Sequence, residues 1–199
     1  IIVLVYGCFF CDAHAGETPK EASADTDVIQ KVHNLIQETN STENSARMAA
    51  WMRLRDMSHL AVPGLVALCR QKKIAPEMIR SVLIALSDCQ DSRAGPSLVE
   101  MLNSSDPQIR LLAARAIGDS GYQAGAPSLE NVVTNEKEDE EVRMFAAKAG
   151  AKLGSETCLK MLEALASSPR AEIRRHAIFD LGKYGGAKYV EILENALAD

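Results

Sequence analysis

Aromatic residues are scarce in this chain: Phe, Tyr and Trp together make up 5% of its 199 residues. A core must therefore come from Leu, Ile, Val and Ala, side chains that pack well between helices. No stretch alternates β-branched and polar residues over the roughly four to eight positions that a half-buried strand needs, so no sheet is expected. Histidine is rare as well. His14, His33, His59 and His176 have no mutual spacing, which argues against a metal site. Basic residues are outnumbered, 22 against 27 acidic, for a net charge of −5. Without a basic stripe interleaved with aromatics, a phosphate backbone is repelled, and nucleic acid is excluded as a partner. There is no Gly-rich phosphate loop and no GxSxG. No catalytic group, cofactor or metal is expected.

What the chain does have is a repeat, clearest in Asp106–Val133. Asp106 can cap a helix, and Pro107 suits its first position, where a missing N–H costs nothing. Ile109, Leu112, Ala113, Ala116 and Ile117 then recur at helical spacing. Gly118 and Gly121 are expected to stop this helix. A second apolar pattern follows at Ala126, Leu129, Val132 and Val133. Neither helix can bury its apolar face alone. With Arg110 as reference, the pattern recurs at Arg47, Arg80, Arg143 and Arg174, in steps of 33, 30, 33 and 31 residues. A period in that range predicts a stacked solenoid of helical hairpins. Pro63, Pro96 and Pro127 mark the second helices of three units. The hairpins are expected at Thr42–Gln71, Ala75–Asn103, Asp106–Thr134, Asp139–Ser167 and Arg170–Ala198. Val28, Val32, Leu35 and Ile36 give Asp27–Thr39 one apolar face, as a capping helix would have. Trp51, in the first hairpin, is expected to serve packing.

The strings DPQIRLLAARAIGDSG and AEIRRHAIFDLGKYGG, with weaker matches at EEVRMFAAKAGAKLG and PEMIRSVLIALSDCQ, resemble HEAT repeats. They are most similar to the short bacterial form found in phycobilisome-lyase-type HEAT proteins. The resemblance covers about Thr42 to Ala198 and implies an all-α solenoid of about five antiparallel hairpins with an N-terminal cap. It also implies that second helices line a concave side. It does not imply one activity, since such repeats serve many. Deoxyhypusine hydroxylases, HEAT enzymes with a di-iron centre, use His-Glu dipeptides. Here the residues after the histidines are Ala15, Asn34, Leu60 and Ala177, so that chemistry is not expected.

The chain begins at Ile1, without Met, and residues upstream are expected. Ile1–Cys11 is an uncharged apolar run followed by Ala13-His14-Ala15, the pattern of a secretory signal peptide. Alternatives are a lipoprotein signal with Cys8 as the lipidated residue and an uncleaved membrane anchor. Cys8 and Cys11 form a CxxC followed by Asp12, which is not a haem-attachment motif. The division is 1–15 signal or anchor remnant, 16–26 flexible linker and 27–199 solenoid, in an exported protein, periplasmic or envelope-associated in a bacterium. Cys69, Cys89 and Cys158 are expected as small buried hydrophobes, the first two too far apart to bridge. Cofactor attachment through Cys158 is the lyase-like alternative.

Two columns run through the repeat. Twenty residues after each reference Arg stand Glu100, Glu130, Glu163 and Glu194, with Ala67 in the first unit. Equal offsets stack into a ladder, here an acidic stripe extended by Glu191 and by the loop Asn135–Glu141. It would suit a basic or amide-rich partner segment. The alternative is a solvated face with local pairs such as Lys160–Glu163. The column Arg47, Arg80, Arg110, Arg143 and Arg174 is expected to be structural, binding carbonyls or acids of adjacent units. Asp106–Arg110 and Asp139–Arg143 are candidate i,i+4 pairs. The expected function is an exported, non-catalytic scaffold that binds a protein or peptide. The alternatives are a lyase- or chaperone-like protein acting on a chromophore protein, and a structural spacer in an envelope assembly.

Overall fold

The structure is a computed structural model, and it describes residues 19–71 and 74–189. Ten α-helices and no strand occur among the described residues: α1 (Pro19–Glu38), α2 (Asn44–Met57), α3 (Val62–Cys69), α4 (Pro76–Cys89), α5 (Gly95–Met101), α6 (Pro107–Ser120), α7 (Ala126–Thr134), α8 (Glu140–Lys152), α9 (Glu156–Leu165) and α10 (Ala171–Tyr184). The hairpins α2–α3, α4–α5, α6–α7 and α8–α9 match the expected units, and α10 is the first helix of the fifth. The partner expected for α10 falls in residues 190–199, outside the described residues, as do Glu191 and Glu194.

Helix ends follow local chemistry. The Asp106 carboxylate accepts from Gln108 N at 2.8 Å and starts α6, and Asp139 does the same for α8 through Glu141 N at 2.8 Å. Pro63, Pro96 and Pro127 sit in the first turns of α3, α5 and α7. α9 has no proline and is capped by Ser155, whose hydroxyl accepts from Cys158 N at 3.2 Å. Short 3-10 turns, Ser58–Leu60, Ser92–Ala94 and Gln123–Gly125, join the two helices within each of the first three hairpins.

One expected stop is different. Gly121 ends α6 in the left-handed conformation, with φ of +67°. Gly118 lies inside the helix and is buried. A Cβ there would stand 2.8 Å from Ala149 Cα, so this glycine lets α6 and α8 touch. Ala113, Ala114 and Ala116 on α6, and Ala146 and Ala147 on α8, are fully buried. First helices thus pack closely on one another, α4 on α6 and α6 on α8, whereas second helices meet across repeats only weakly. Leu65, Leu83, Leu98, Ile117, Leu129 and Leu162 fill the space between the two rows without exposed surface.

α1 caps the N-terminal end. Val32 and Ile36 are fully buried against the solenoid, and Val32 lies so close to Gly64 of α3 that a Cβ there would come within 2.9 Å. α1 starts at Pro19, so the expected linker is helical from that residue onward. Proline is favourable at a first helical position, and Glu21, Ala22 and Ala24 are good helix formers that polarity alone does not mark as such. The expected signal or anchor segment, with Cys8, Cys11 and His14, lies outside the described residues.

Candidate partner-binding face

The reference arginines are spent on holding the repeats. Arg47, Arg110 and Arg174 each donate to the carbonyl six residues upstream, Ser41, Ser104 and Ser168, at 2.9, 2.8 and 2.8 Å. In each of these loops the serine hydroxyl also accepts from the N–H two residues on, Glu43, Asp106 and Arg170. Arg110 adds a bidentate pair across the repeat boundary to Glu138, at 2.8 and 2.6 Å. Arg80 reaches Asp106 of the next repeat at 2.6 Å. Arg143 donates to Val133 O at 3.1 Å and lies 3.4 Å from Met161 Sδ.

The i,i+4 pairs Asp106–Arg110 and Asp139–Arg143 therefore do not form. Asp106 is claimed by the cap and by Arg80, and Arg110 by Glu138, because the neighbouring repeat brings each partner into better bidentate or charge-assisted geometry. The Arg80 hydrogen bond holds the Asp106 carboxyl below the usual carboxylate range. Arg110 does the same for Glu138, against the pull of burial. Across the first helices, Asp119 accepts from Ser87 Oγ at 2.5 Å and from Lys152 Nζ at 2.9 Å, tying α4, α6 and α8 together.

The acidic loop is largely structural too. Glu138 pairs with Arg110, Asp139 caps α8, and Glu140 accepts from Ser168 Oγ at 2.8 Å and meets Arg170 at 3.5 Å.

The glutamate column divides. Glu100 on α5 and Glu163 on α9 are exposed, and neither makes a hydrogen bond or ion pair among the described residues. Lys160 does not pair with Glu163. Glu130 on α7 is half-buried, and its carboxylate accepts from Ser155 Oγ at 2.6 Å, so it links α7 to the cap of α9. Beside this column, α5 and α7 leave a cleft of about 280 Å3, lined in part by Asn103, Asn131 and Asn135. Those asparagines do not share one repeat offset, so column counting misses them. A larger groove of about 830 Å3 lies at the N-terminal end between α1 and α2, where Leu35, Met57 and Leu60 are rimmed by Asp27, Lys31 and Arg53.

The remaining reactive residues are dispersed. His33 is paired with Gln37 on the surface of α1 at 3.2 Å, His59 is in a turn and His176 on α10. No group of three His, Cys, Asp or Glu that could hold a metal exists among the described residues. No described helix is long and apolar enough to cross a membrane. Cys69 and Cys158 are buried as expected, and burial pushes both thiols up, Cys69 to about 12. Cys89 is only half-buried, because it lies at the end of α4, where its thiol donates to Ser58 O at 3.3 Å. Trp51 is half-buried against the core. One buried acid was not anticipated. Asp180 on α10 has no exposed surface and lies 3.2 Å from Lys148 Nζ of α8. Its signal was present in the repeat register: six residues after the reference Arg, three other units carry Leu86, Ala116 and Ala149.

A two-row stack of helical hairpins with this period narrows the family. Residues 133–199 match the family model for HEAT repeats. The described residues form an α-solenoid of HEAT-like hairpins. HEAT and armadillo architectures recur among solved structures of similar fold. The complex of CpcE and CpcF of phycocyanin lyase from Nostoc sp. PCC7120 aligns with a TM-score of 0.62 at 17% identity, over 76% of this chain and 98% of that one. A designed armadillo repeat protein in complex with the peptide (KR)4 aligns with a TM-score of 0.52 at 18% identity, over 86% and 88%. An engineered protein aligns with a TM-score of 0.51 at 21% identity, over 83% and 88%. At these identities the likeness is one of fold. A comparison with curated proteins gives no match. The HEAT-like solenoid is a scaffold type consistent with protein binding, and on its second helices Glu100 and Glu163 are uncommitted among the described residues.

Proposed function

We propose that this protein is an exported, non-catalytic scaffold that binds a basic segment of another protein on the face made by its second helices. One observation carries the reading. The five reference arginines are consumed inside the fold, whereas Glu100 and Glu163, at one repeat position on α5 and α9, remain exposed and uncommitted. Like charges held in a row cost energy that a basic partner would relieve. The fold-level likeness to an armadillo protein holding (KR)4 supports the same kind of partner. Export rests on the pattern of residues 1–15, with lipidation at Cys8 as the alternative, and intact mass of the mature protein separates the two.

The test is a cross-linking pull-down from the native envelope fraction with the wild type and with Glu100→Lys/Glu163→Lys. Glu130 is left in place because it also bonds Ser155. A partner held by the wild type and lost by the folded variant supports the reading. Equal capture by both overturns the acidic face, and no saturable partner at all favours the structural spacer.

A second reading is supported by the alignment with the CpcE–CpcF complex, a lyase- or chaperone-like action on a chromophore protein. Attachment through Cys158 is disfavoured, since its thiol is buried and burial raises its pKa. Visible absorbance in the purified protein would support this reading.

A further inference from the structure

Arg47 binds the Ser41 carbonyl as Arg110 and Arg174 bind those of Ser104 and Ser168, so the turn after α1 matches the turns after α5 and α9. α1 packs on α2 and α3, and so stands where the second helix of a preceding hairpin would stand. It runs straight back to Pro19, and no first helix precedes it among the described residues. The consequence shows six residues after each reference Arg. There Leu86, Ala116, Ala149 and Asp180 are buried. Ala149 touches Gly118 of the preceding first helix, and Asp180 meets Lys148 of the preceding first helix at 3.2 Å. The equivalent Arg53 on α2 has a side chain 62% exposed, and its contact with Glu38 is a weak surface pair at 3.5 Å. Beside Arg53 runs the groove of about 830 Å3 between α1 and α2, with Leu35, Met57 and Leu60 on its apolar side. Asp27, Lys31, Asn34 and Glu38 wall it at three- and four-residue spacing, one stripe of α1 roughly 16 Å long at the rise of an α-helix.

We infer that this groove seats an acidic amphipathic helix of a partner protein, which extends the row of first helices by one step ahead of α2. This site is separate from the second-helix face. Continuity names the occupant. α6, α8 and α10 each receive the preceding first helix on this side, and only α2 of the row faces solvent there among the described residues. A helix lying antiparallel to α1 repeats the same contact, with its apolar stripe on Leu35, Met57 and the exposed Leu60. Arg53 sets its charge. Within the stack, Asp180 at this register draws the opposite charge of Lys148 from the helix before it, so the helix seated before Arg53 carries a carboxylate. Asp27 and Asp56 on the rim disfavour a phosphate ligand.

The test is fluorescence anisotropy on the full chain with two labelled peptides, held helical by a lactam bridge and built on Asp139–Lys152. That segment is suited because Met144, Ala147 and Ala151 are buried and lie at helical spacing from Lys148, which faces α10. One peptide keeps Lys148 and the other carries Lys148→Glu. The Glu peptide should bind wild type roughly tenfold more tightly than the Lys peptide, and the order should reverse in Arg53→Glu. Equal affinities of the two peptides for wild type overturn the inference. A photo-reactive benzoylphenylalanine in place of Leu60 should cross-link to the Glu peptide. Failure of the full chain to bind either peptide also overturns it, and a cross-link from position 60 into residues 1–18 would then assign the groove to this chain's own N-terminal segment. Glu100→Gln/Glu163→Gln should leave both affinities unchanged. Weaker binding in that variant would place the peptide on the second-helix face and overturn the separate seat.

Discussion

Asp180 occupies a position that Leu86, Ala116 and Ala149 fill elsewhere, and neither of its carboxylate oxygens receives a well-formed hydrogen bond, although Lys148 is 3.2 Å away. Burial pushes its carboxyl above the usual range, against the pull of Lys148 and then of His176 and Lys183. The folded-state value thus lies above the unfolded value near 3.8, so ionisation opposes folding. Stability tied to this group is complete below the unfolded value and is lost as pH rises through the folded one. Asp180→Asn should raise stability near neutral pH by about 1 kcal/mol, since Lys148 is partly exposed and is not stranded by the change. Thermal unfolding from about pH 4 to about pH 8 should show the wild type losing ground on the variant as pH rises. A constant gap across that range would remove the buried charge as the cause.

At the scale of elements, the close packing of first helices rests on small residues. Gly118→Ala tests it, because helix propensity and packing predict opposite signs. Propensity alone favours alanine by about 1 kcal/mol. The new Cβ would stand 2.8 Å from the backbone of Ala149, which cannot move aside as a flexible side chain could. Overpacking of this kind costs about 1–3 kcal/mol, so the variant should be destabilised, read as a lower urea midpoint. A higher midpoint would show that α6 and α8 relax freely. This glycine also marks a limit of sequence reading. In a single helix, Gly118 and Gly121 look alike as terminators, and only the facing Ala149 shows that the first is an interior contact.

The whole molecule is a stack whose exposed ends must be covered. α1 covers the first hairpin with Val32, Leu35 and Ile36, each side chain contributing about 1.5–3 kcal/mol of burial. A chain starting at Asn40 should therefore expose the apolar side of α3, bind a hydrophobic dye and lose several degrees of thermal stability, with light scattering reporting association. A monodisperse shortened chain with an unchanged midpoint would mean that α1 is an appendage.

The hairpins, their period, the proline and aspartate starts and the apolar faces were all legible in the order of residues, because they arise from 3.6-residue periodicity and from capping chemistry local to a few positions. The glutamate column could be counted, but its members are not equivalent: Glu130 is drawn to Ser155, and Glu100 and Glu163 are not. The choice of Glu138 for Arg110 and of Asp106 for Arg80, the burial of Asp180 and the carboxamide cleft between α5 and α7 depend on the neighbouring repeat. Sequence by itself determined the helices and their repetition, since those energies are short-ranged along the chain. Tertiary structure alone decided which polar groups are spent and which stay available, because ion pairs and hydrogen bonds go to whatever partner packing brings within about 3 Å, however distant in sequence.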